Sequence, residues 1–206
     1  MAQDQSSRSI PDEDFYLMPS FSNGLIFFSN RPMAQGKVNI CAVDQSLRFI
    51  DGKGQELEAT DIDTIIKVII DNVSFIRKYD AFYRLYPYSE NVSIAKLRTL
   101  KIIRGEQKGA YGTVSQTSSI KEYSSLYTEG GAYKLGAGEK VPYEVSETFF
   151  LYDGADLYSI NKKGLRKLFR DKKDDVEKYF KEGHRVPETL EGVQEMLSNF
   201  IEKQPQ

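Results

Sequence analysis

The segment from Asn161 to Lys181 carries a strong excess of positive charge. It contains nine basic and four acidic residues, whereas the whole chain has a formal net charge of −2. Side chains of this type at this density can bind the phosphate or carboxylate groups of an anionic partner. The alternative, and the more common role of such a run, is a solvated face of short helices, with Asp174 and Lys178 as an i,i+4 pair. The residues that would form an interaction face are Lys162, Lys163, Arg166 and Lys167.

Aromatic residues form a second group that could bind a ligand. One strand-like stretch carries five of them, namely Tyr79, Phe82, Tyr83, Tyr86 and Tyr88. Aromatic strands beside a loop rich in glycine and serine can line a cleft, although ordinary packing in a sheet core is the alternative. Tyr111 stands between Gly109 and Gly112, where the glycines indicate a sharp bend or the close approach of another backbone. The candidate ligand-binding residues are therefore Tyr83, Tyr86 and Tyr111.

Groups suited to covalent or acid–base chemistry are not gathered anywhere in the sequence. Cys41 is the only cysteine, and a reactive thiol needs a basic neighbour that lowers its pKa. We interpret Cys41 as a small core residue of a strand. The only histidine, His184, and the lack of a Gly-x-Ser-x-Gly elbow argue against a serine triad. We therefore predict no enzyme. A hydrolase that uses two carboxylates stays an alternative, because sequence does not show which of the 30 acidic residues approach each other.

The sequence predicts no metal ion and no cofactor. A single cysteine and a single histidine cannot build a zinc cluster. Acidic residues near Asp51 and Asp61 are not followed by a twelve-residue calcium loop. The glycine-rich stretch 130–138 has Ala137 where a phosphate-binding loop needs lysine, and it lacks the third glycine of a dinucleotide fingerprint.

Composition restricts the class of protein. At 206 residues, with 40% hydrophobic and 28% charged residues, the chain fits one domain or a domain with a small appendage. Its 13 tyrosines and 12 phenylalanines, without tryptophan, favour sheet packing. The slightly negative net charge predicts no general affinity for nucleic acid. No stretch of 18 apolar residues occurs, so we predict no transmembrane segment.

Short apolar runs separated by turn residues predict antiparallel strands over residues 15–160. Asn23-Gly24 is a turn dipeptide before the run Leu25–Phe28, and Asp51–Gly54 should reverse the chain into a further short strand. Asp71-Asn72 is expected to form another tight turn.

The run Thr64–Ile70 is apolar on both faces apart from Lys67. It therefore predicts a strand buried on both sides. If the protein carries lipid, an apolar cavity lined by residues such as Ile66, Val68 and Phe75 is expected.

At Asn161 the apolar period changes from that of strands to that of helices. Asn161 should cap a first helix over 162–170, Asp171 a second helix that Gly183 ends, and Pro187 should lie in the first turn of a third. The expected fold is α+β: a mainly antiparallel sheet, as a sandwich or partial barrel, followed by three short C-terminal helices. The predicted organisation is a disordered tail over 1–14, a β domain over 15–160 and a helical segment over 161–203 packed on it.

Several segments together resemble a family of uncharacterised exported proteins from Gram-negative gut anaerobes. They are FYLMPSF at 15–21 before Asn23-Gly24, GKVN at 36–39 with FID at 49–51 and Gly54, KGAYG at 108–112, and KKGLRKLF at 162–169 before 174–181. The resemblance spans residues 15–201. It implies export, with a periplasmic or secreted location after removal of a signal peptide, and it transfers no catalytic residue.

Three functional hypotheses follow. The leading one is a non-catalytic cell-envelope protein that binds a protein, glycan or lipid. The second is a carboxylate-dependent hydrolase, and the third is an interaction module that uses the basic C-terminal helical face. The polar start of the chain at Ala2 would suit a trimmed signal peptide, but a cytoplasmic protein with a frayed tail would look the same.

Overall fold

The computed structural model describes residues 10–103 and 142–201, and these contain ten antiparallel β-strands and four α-helices. The strands are β1 Ser22–Phe28, β2 Ala34–Ile40, β3 Leu47–Ile50, β4 Glu56–Glu58, β5 Ile65–Ile70, β6 Val73–Lys78, β7 Ala81–Pro87, β8 Ser93–Ile102, β9 Tyr143–Tyr152 and β10 Leu157–Ser159. They form one open sheet in the order β10-β9-β8-β7-β6-β5-β1-β2-β3-β4. The helices are α1 Asp12–Phe15, α2 Lys162–Leu168, α3 Lys173–Lys181 and α4 Leu190–Ser198. The predicted α+β class, with three short helices after the sheet, is confirmed.

The described residues belong to two compact units. The first contains residues 10–23, 36–62, 99–103 and 142–146. The second contains residues 24–35, 63–98 and 147–201.

The first unit has its core around the start of the chain. Phe15 and Tyr16 pack with Cys41, Ala42 and Leu100 in one buried cluster that also includes Ile10. The expectation of a disordered tail up to residue 14 is wrong for residues 10–14, because the buried side chains of Ile10 and Phe15 anchor helix α1 from both ends. Residues 1–9 lie outside the described residues.

Asn39 is a fully buried polar residue in β2 of the first unit. Its Oδ1 accepts hydrogen bonds from the Met18 N–H at 3.1 Å and from the Ile40 N–H at 2.8 Å, and its Nδ2 donates to the Met18 carbonyl at 2.9 Å. A buried backbone group without a hydrogen-bond partner is costly. The Asn39 side chain therefore provides the two hydrogen bonds that the backbone of a neighbouring strand would otherwise provide to Met18.

One hairpin of the second unit turns where the sequence predicts it. Asp71 and Asn72 have φ values of 44° and 67°, and Asn72 leads directly into β6. This confirms the predicted tight turn, since two positive φ values match the twist of the strands that the turn joins. In the first unit, Asp51 accepts from the N–H groups of Lys53 and Gln55, and the chain reverses from β3 into β4 as predicted.

Two predictions about local structure are wrong. Asn23-Gly24 forms no turn but lies inside β1, where Gly24 pairs with Ile70. The run Thr64–Ile70 is not buried on both faces, because Ile66 is 50% exposed whereas Val68 and Ile70 are buried. The cause is a bulge: β1 advances one residue while β5 advances two, so that Ile66 has no partner. Ile66 therefore does not line an apolar interior with Val68 and Phe75.

The C-terminal helices begin at capping residues that the sequence predicts only in part. Asn161 caps α2 as predicted, and Gly183, with φ of 85°, follows α3 as predicted. Asp171 does not cap α3, because it lies within a 3₁₀ turn, Arg170–Lys172, that carries the chain from α2 to α3. Helix α4 begins at Leu190, three residues after Pro187, because Thr189 accepts from the Gly192 N–H and acts as its N-cap.

The helices pack on the second unit's strands through one apolar cluster. Its helical members are Leu165, Phe169, Val176, Val193, Met196, Leu197 and Phe200, and its strand and turn members are Tyr88, Val92, Ile94, Leu151 and Ile160. The rings of Phe169 and Phe200 stack with centroids 5.4 Å apart. Within the described residues, no helix has the length and apolarity needed to cross a bilayer.

Candidate anion-binding site

Helix α2 is fixed in place by its first turn. Asn161 Oδ1 accepts a hydrogen bond from the Gly164 N–H at 2.8 Å, which satisfies a free donor at the helix start. A side-chain carbon at Gly164 would collide with the backbone carbonyl of Ser159, so glycine lets α2 approach the end of β10. Leu165 is fully buried beside it. The opposite face of α2, which carries the basic residues, is therefore held towards solvent.

Together with the start of α3 and the turn before it, this exposed face borders a concavity of about 520 Å³ whose lining residues are all cationic. The lining residues are Lys162, Lys163, Arg166, Lys167, Arg170 and Lys173. We call these six residues the basic concavity. All four residues predicted for the interaction face are among them.

Glu177 is the acidic residue that neutralises part of the basic concavity. Its carboxylate lies 2.7 Å from Lys162 Nζ and 3.1 Å from Arg166 Nη1. The hydrogen bond from Lys162, together with the charges of Lys162 and Arg166, lowers the pKa of Glu177 below its ordinary value, although desolvation opposes this. Glu177 is thus ionised at neutral pH and holds two of the six cations in place.

The other four cations of the concavity have no acidic partner among the described residues. The structure gives ion pairs for Lys162 and Arg166 but none for Lys163, Lys167, Arg170 or Lys173 within residues 10–103 and 142–201. Arg170 Nε donates to the carbonyl of Lys167 at 3.4 Å. By contrast, Lys172 points elsewhere and donates to the Phe200 carbonyl just after α4. The site therefore keeps a large excess of positive charge.

Sequence reasoning missed Arg170 and Lys173 as members of the site. Both belong to the charged run, but a continuous helix to residue 170 does not bring Lys173 beside Lys163. The 3₁₀ turn Arg170–Lys172 changes the direction of the chain and places both residues at the rim of α2. The helix ends at Phe169, whose φ of −98° and ψ of 69° lie outside the helical region.

The predicted tyrosine site is not assembled by the structure. Tyr83 is 5% exposed and meets the Phe150 ring edge-on at 5.5 Å, and burial raises its pKa. Tyr86 packs against the helix-covered cluster. Since side chains alternate along a strand, Tyr83 and Tyr86 lie on opposite faces of β7 and cannot line one cleft. Tyr111 and the glycine-rich segment 130–138 lie outside the described residues.

Cys41 is a core residue, as predicted. It is fully buried, and burial together with the nearby charge of Asp44 raises its pKa to about 12. A thiol with such a pKa is not a nucleophile at neutral pH. In the second unit, His184 stacks on Tyr179 with ring centroids 4.3 Å apart. Among the residues that the structure describes, no three His, Cys, Asp or Glu side chains are grouped closely enough to hold a metal ion.

Comparison of the chain with models of protein families, with curated proteins and with solved structures finds no match. The proposed function therefore depends on the geometry and charge of the basic concavity.

Proposed function

We propose that the protein is a non-catalytic binding protein of the cell envelope that uses the basic concavity to bind an anionic partner. One observation carries this proposal: a concave surface is lined by six cations and only by cations, in a chain whose net charge is negative. Random placement of charged side chains on a solvated surface mixes both signs, whereas a one-sign concavity concentrates its electric field on a ligand.

The physical reason for binding is the repulsion among the four cations that have no acidic partner among the described residues. Phosphate, sulfate or carboxylate groups placed between Lys163, Lys167, Arg170 and Lys173 would relieve that repulsion and release bound counterions. The volume of about 520 Å³ lies within the range of small-ligand sites. Most of the lining surface is the aliphatic part of side chains that each end in a positive charge. Affinity should therefore come from electrostatics and should fall as salt is added.

The envelope location is the part of the proposal that the resemblance supports. The segments between residues 15 and 201 that resemble those of exported proteins support a periplasmic or secreted location. Fractionation of the native cells tests it: the protein should appear in the periplasmic or extracellular fraction. Recovery with the cytoplasmic proteins would support the cytoplasmic alternative instead.

The binding proposal is tested with inorganic tripolyphosphate as a probe, by calorimetric titration at low salt. The variant Lys163→Glu/Lys167→Glu reverses two cations of the concavity that form no ion pair within residues 10–103 and 142–201. The matched control, Lys178→Glu/Lys181→Glu, reverses two lysines of α3 outside the concavity and lowers the net charge by the same amount. We expect the first variant to lose about tenfold or more in affinity, or ~1.4 kcal/mol, and the control to lose much less. Equal losses would show that only net charge matters and would overturn the proposal.

The class of partner is separated by three further probes with the same two variants. They are an oligo-glutamate peptide for an acidic protein, a sulfated oligosaccharide for an anionic glycan, and vesicles of phosphatidylcholine with and without phosphatidylglycerol for a lipid surface. The probe whose binding depends most on Lys163 and Lys167 identifies the class. If none of them depends on these two lysines, the basic concavity is not a binding site.

A further inference from the structure

Arg84 of β7 lies directly opposite Lys96 of β8 on one face of the sheet. Directly opposed residues of antiparallel strands have Cβ atoms about 4.5–5.5 Å apart, and like charges in that arrangement are destabilising. The Lys96 side chain is 20% exposed, so solvent screens this repulsion less than at an open surface. The arrangement therefore requires a nearby anion.

Among the described residues, one carboxylate lies close to this pair, and it serves other cations. Glu147 Oε1 of β9 lies 2.9 Å from Lys96 Nζ and 3.8 Å from Arg98 Nε. Within the part of the chain that the structure describes, Arg84 takes part in no ion pair. Lys96 and Arg98, both half-buried, thus share Glu147. The third cation, Arg84, has no carboxylate among the described residues.

The environment of Arg84 shows the same lack of an anion. Its Nε is buried and has no hydrogen-bond partner among the described residues. Its guanidinium group lies over the ring of Tyr86, with Cζ 4.9 Å from the ring centroid. Stacking on an aromatic ring orients the planar guanidinium but leaves the charge without a counterion.

Arg77 is a comparable arginine of the same sheet that does have carboxylate partners. It lies on β6, diagonally across from Arg84 on the same sheet face, and its Nε is also buried without a hydrogen-bond partner among the described residues. Its Nη2, however, lies 3.3 Å from Asp63 and 3.3 Å from Asp80. Arg77 therefore has carboxylates at its terminal nitrogen, where Arg84 has none in the described chain.

We propose that Arg84 and Lys96 bind a carboxylate group of a ligand on this sheet face, at a site distinct from the basic concavity. The ligand carboxylate pairs with Arg84 as Asp63 and Asp80 pair with Arg77. It accepts from the terminal guanidinium nitrogens, whose fork matches a planar carboxylate, and from Lys96 Nζ. Glu147 remains on Lys96 and Arg98 and holds their side chains in position.

The test compares thermal unfolding in sodium acetate and in sodium chloride at equal ionic strength, for the wild type and two variants. Arg84→Met removes the opposed charge. We expect it to raise the melting temperature in chloride above that of the wild type and to abolish the additional rise that acetate gives. Arg77→Met is the matched control, because it removes an arginine that has its carboxylates. It should lower the melting temperature and keep the rise in acetate.

A second variant keeps the test decisive if Arg84→Met folds poorly. Arg84→Lys retains the positive charge but lacks the planar fork, so its melting temperature in chloride should stay near that of the wild type while the rise in acetate becomes smaller. An unchanged acetate effect in Arg84→Lys and Arg84→Met, or a loss of stability in Arg84→Met like that in Arg77→Met, would overturn the site. A larger rise with phosphate than with acetate in the wild type, absent in Arg84→Met, would overturn the assignment to a carboxylate.

Discussion

The carboxylate of Glu177 in α3 lies 2.7 Å from the ammonium group of Lys162 at the start of α2. The same carboxylate also pairs with Arg166 one turn further along α2. Glu177 thus sets the spacing of two cations of the basic concavity, and it also lowers the positive charge that a ligand meets. These two effects act in opposite directions on ligand affinity.

Glu177→Gln separates the two effects. We expect tighter binding of tripolyphosphate and a steeper dependence on salt, because the substitution adds one net positive charge where a ligand binds. Calorimetric titration at two salt concentrations measures both. Weaker binding by Glu177→Gln would mean that the position of Lys162 and Arg166 matters more than their net charge.

Gly164→Ala tests how α2 is positioned. Alanine in place of glycine in a helix normally stabilises by about 1 kcal/mol. Here the new methyl group meets the backbone of Ser159, and we expect a lower free energy of unfolding and weaker binding at the basic concavity. Urea denaturation followed by circular dichroism measures the first effect. Asn161→Ala, which removes only the cap, is the comparison and should cost about 1 kcal/mol. Stabilisation by Gly164→Ala would contradict the packing of α2 on β10.

Asn39→Leu tests the buried polar bridge to Met18. The substitution keeps a similar volume but leaves the Met18 N–H and carbonyl without their partner. We expect a loss of about 3 kcal/mol in the free energy of unfolding, since each unsatisfied buried group costs about 1–3 kcal/mol. Urea denaturation is the measurement. A loss below about 1 kcal/mol would show that water or another group replaces Asn39.

Asp44 gives the first unit a predicted sensitivity to acid. Burial alone would raise its pKa, but hydrogen bonds from Ser46 and the charge of Arg48, 2.7 Å away, outweigh burial and lower it. A carboxyl group with a lowered pKa in the folded state stabilises above its unfolded pKa, and this stabilisation is lost as the pH falls through the folded value. The free energy of unfolding should therefore decrease as the pH falls below 3.8, the ordinary pKa of an aspartate.

The matched variant for this pH dependence is Asp44→Asn. We expect it to be less stable than the wild type at neutral pH by about 1–3 kcal/mol, because a charged hydrogen-bond acceptor is lost. Its stability should also depend less on pH in the acid range. Unfolding by urea at a series of pH values checks both points. Parallel curves for the two proteins would assign the acid sensitivity to other carboxyl groups.

Local signals predicted the parts of the fold that local chemistry decides. Asp71-Asn72 turns because both residues tolerate positive φ, and Asn161 caps α2 because its side chain reaches the Gly164 N–H. The charge pattern likewise predicted four residues of the basic concavity, because residues four apart share a helix face.

The remaining features depend on contacts that are distant in the chain. Asn23-Gly24 has a strong preference for a turn, but pairing of Gly24 with Ile70 places it inside a strand. The bulge at Ile66 and the hydrogen bonds from Asn39 to Met18 depend on residues distant in the sequence, which a local sequence pattern does not predict. Arg84 and Lys96 are opposed only because of the register between β7 and β8, so the proposed carboxylate site has no signature in the sequence.

The central claim is that the basic concavity is the binding surface, and amide chemical shifts test it most directly. Protein labelled with ¹⁵N is titrated with tripolyphosphate, and the shifts are mapped onto the chain. We predict saturable shifts concentrated on residues 162–173. In Lys163→Glu/Lys167→Glu they should need about tenfold more tripolyphosphate, or more, whereas Lys178→Glu/Lys181→Glu should leave them in place. Shifts that avoid this segment, or that disappear equally in both variants, would contradict the claim.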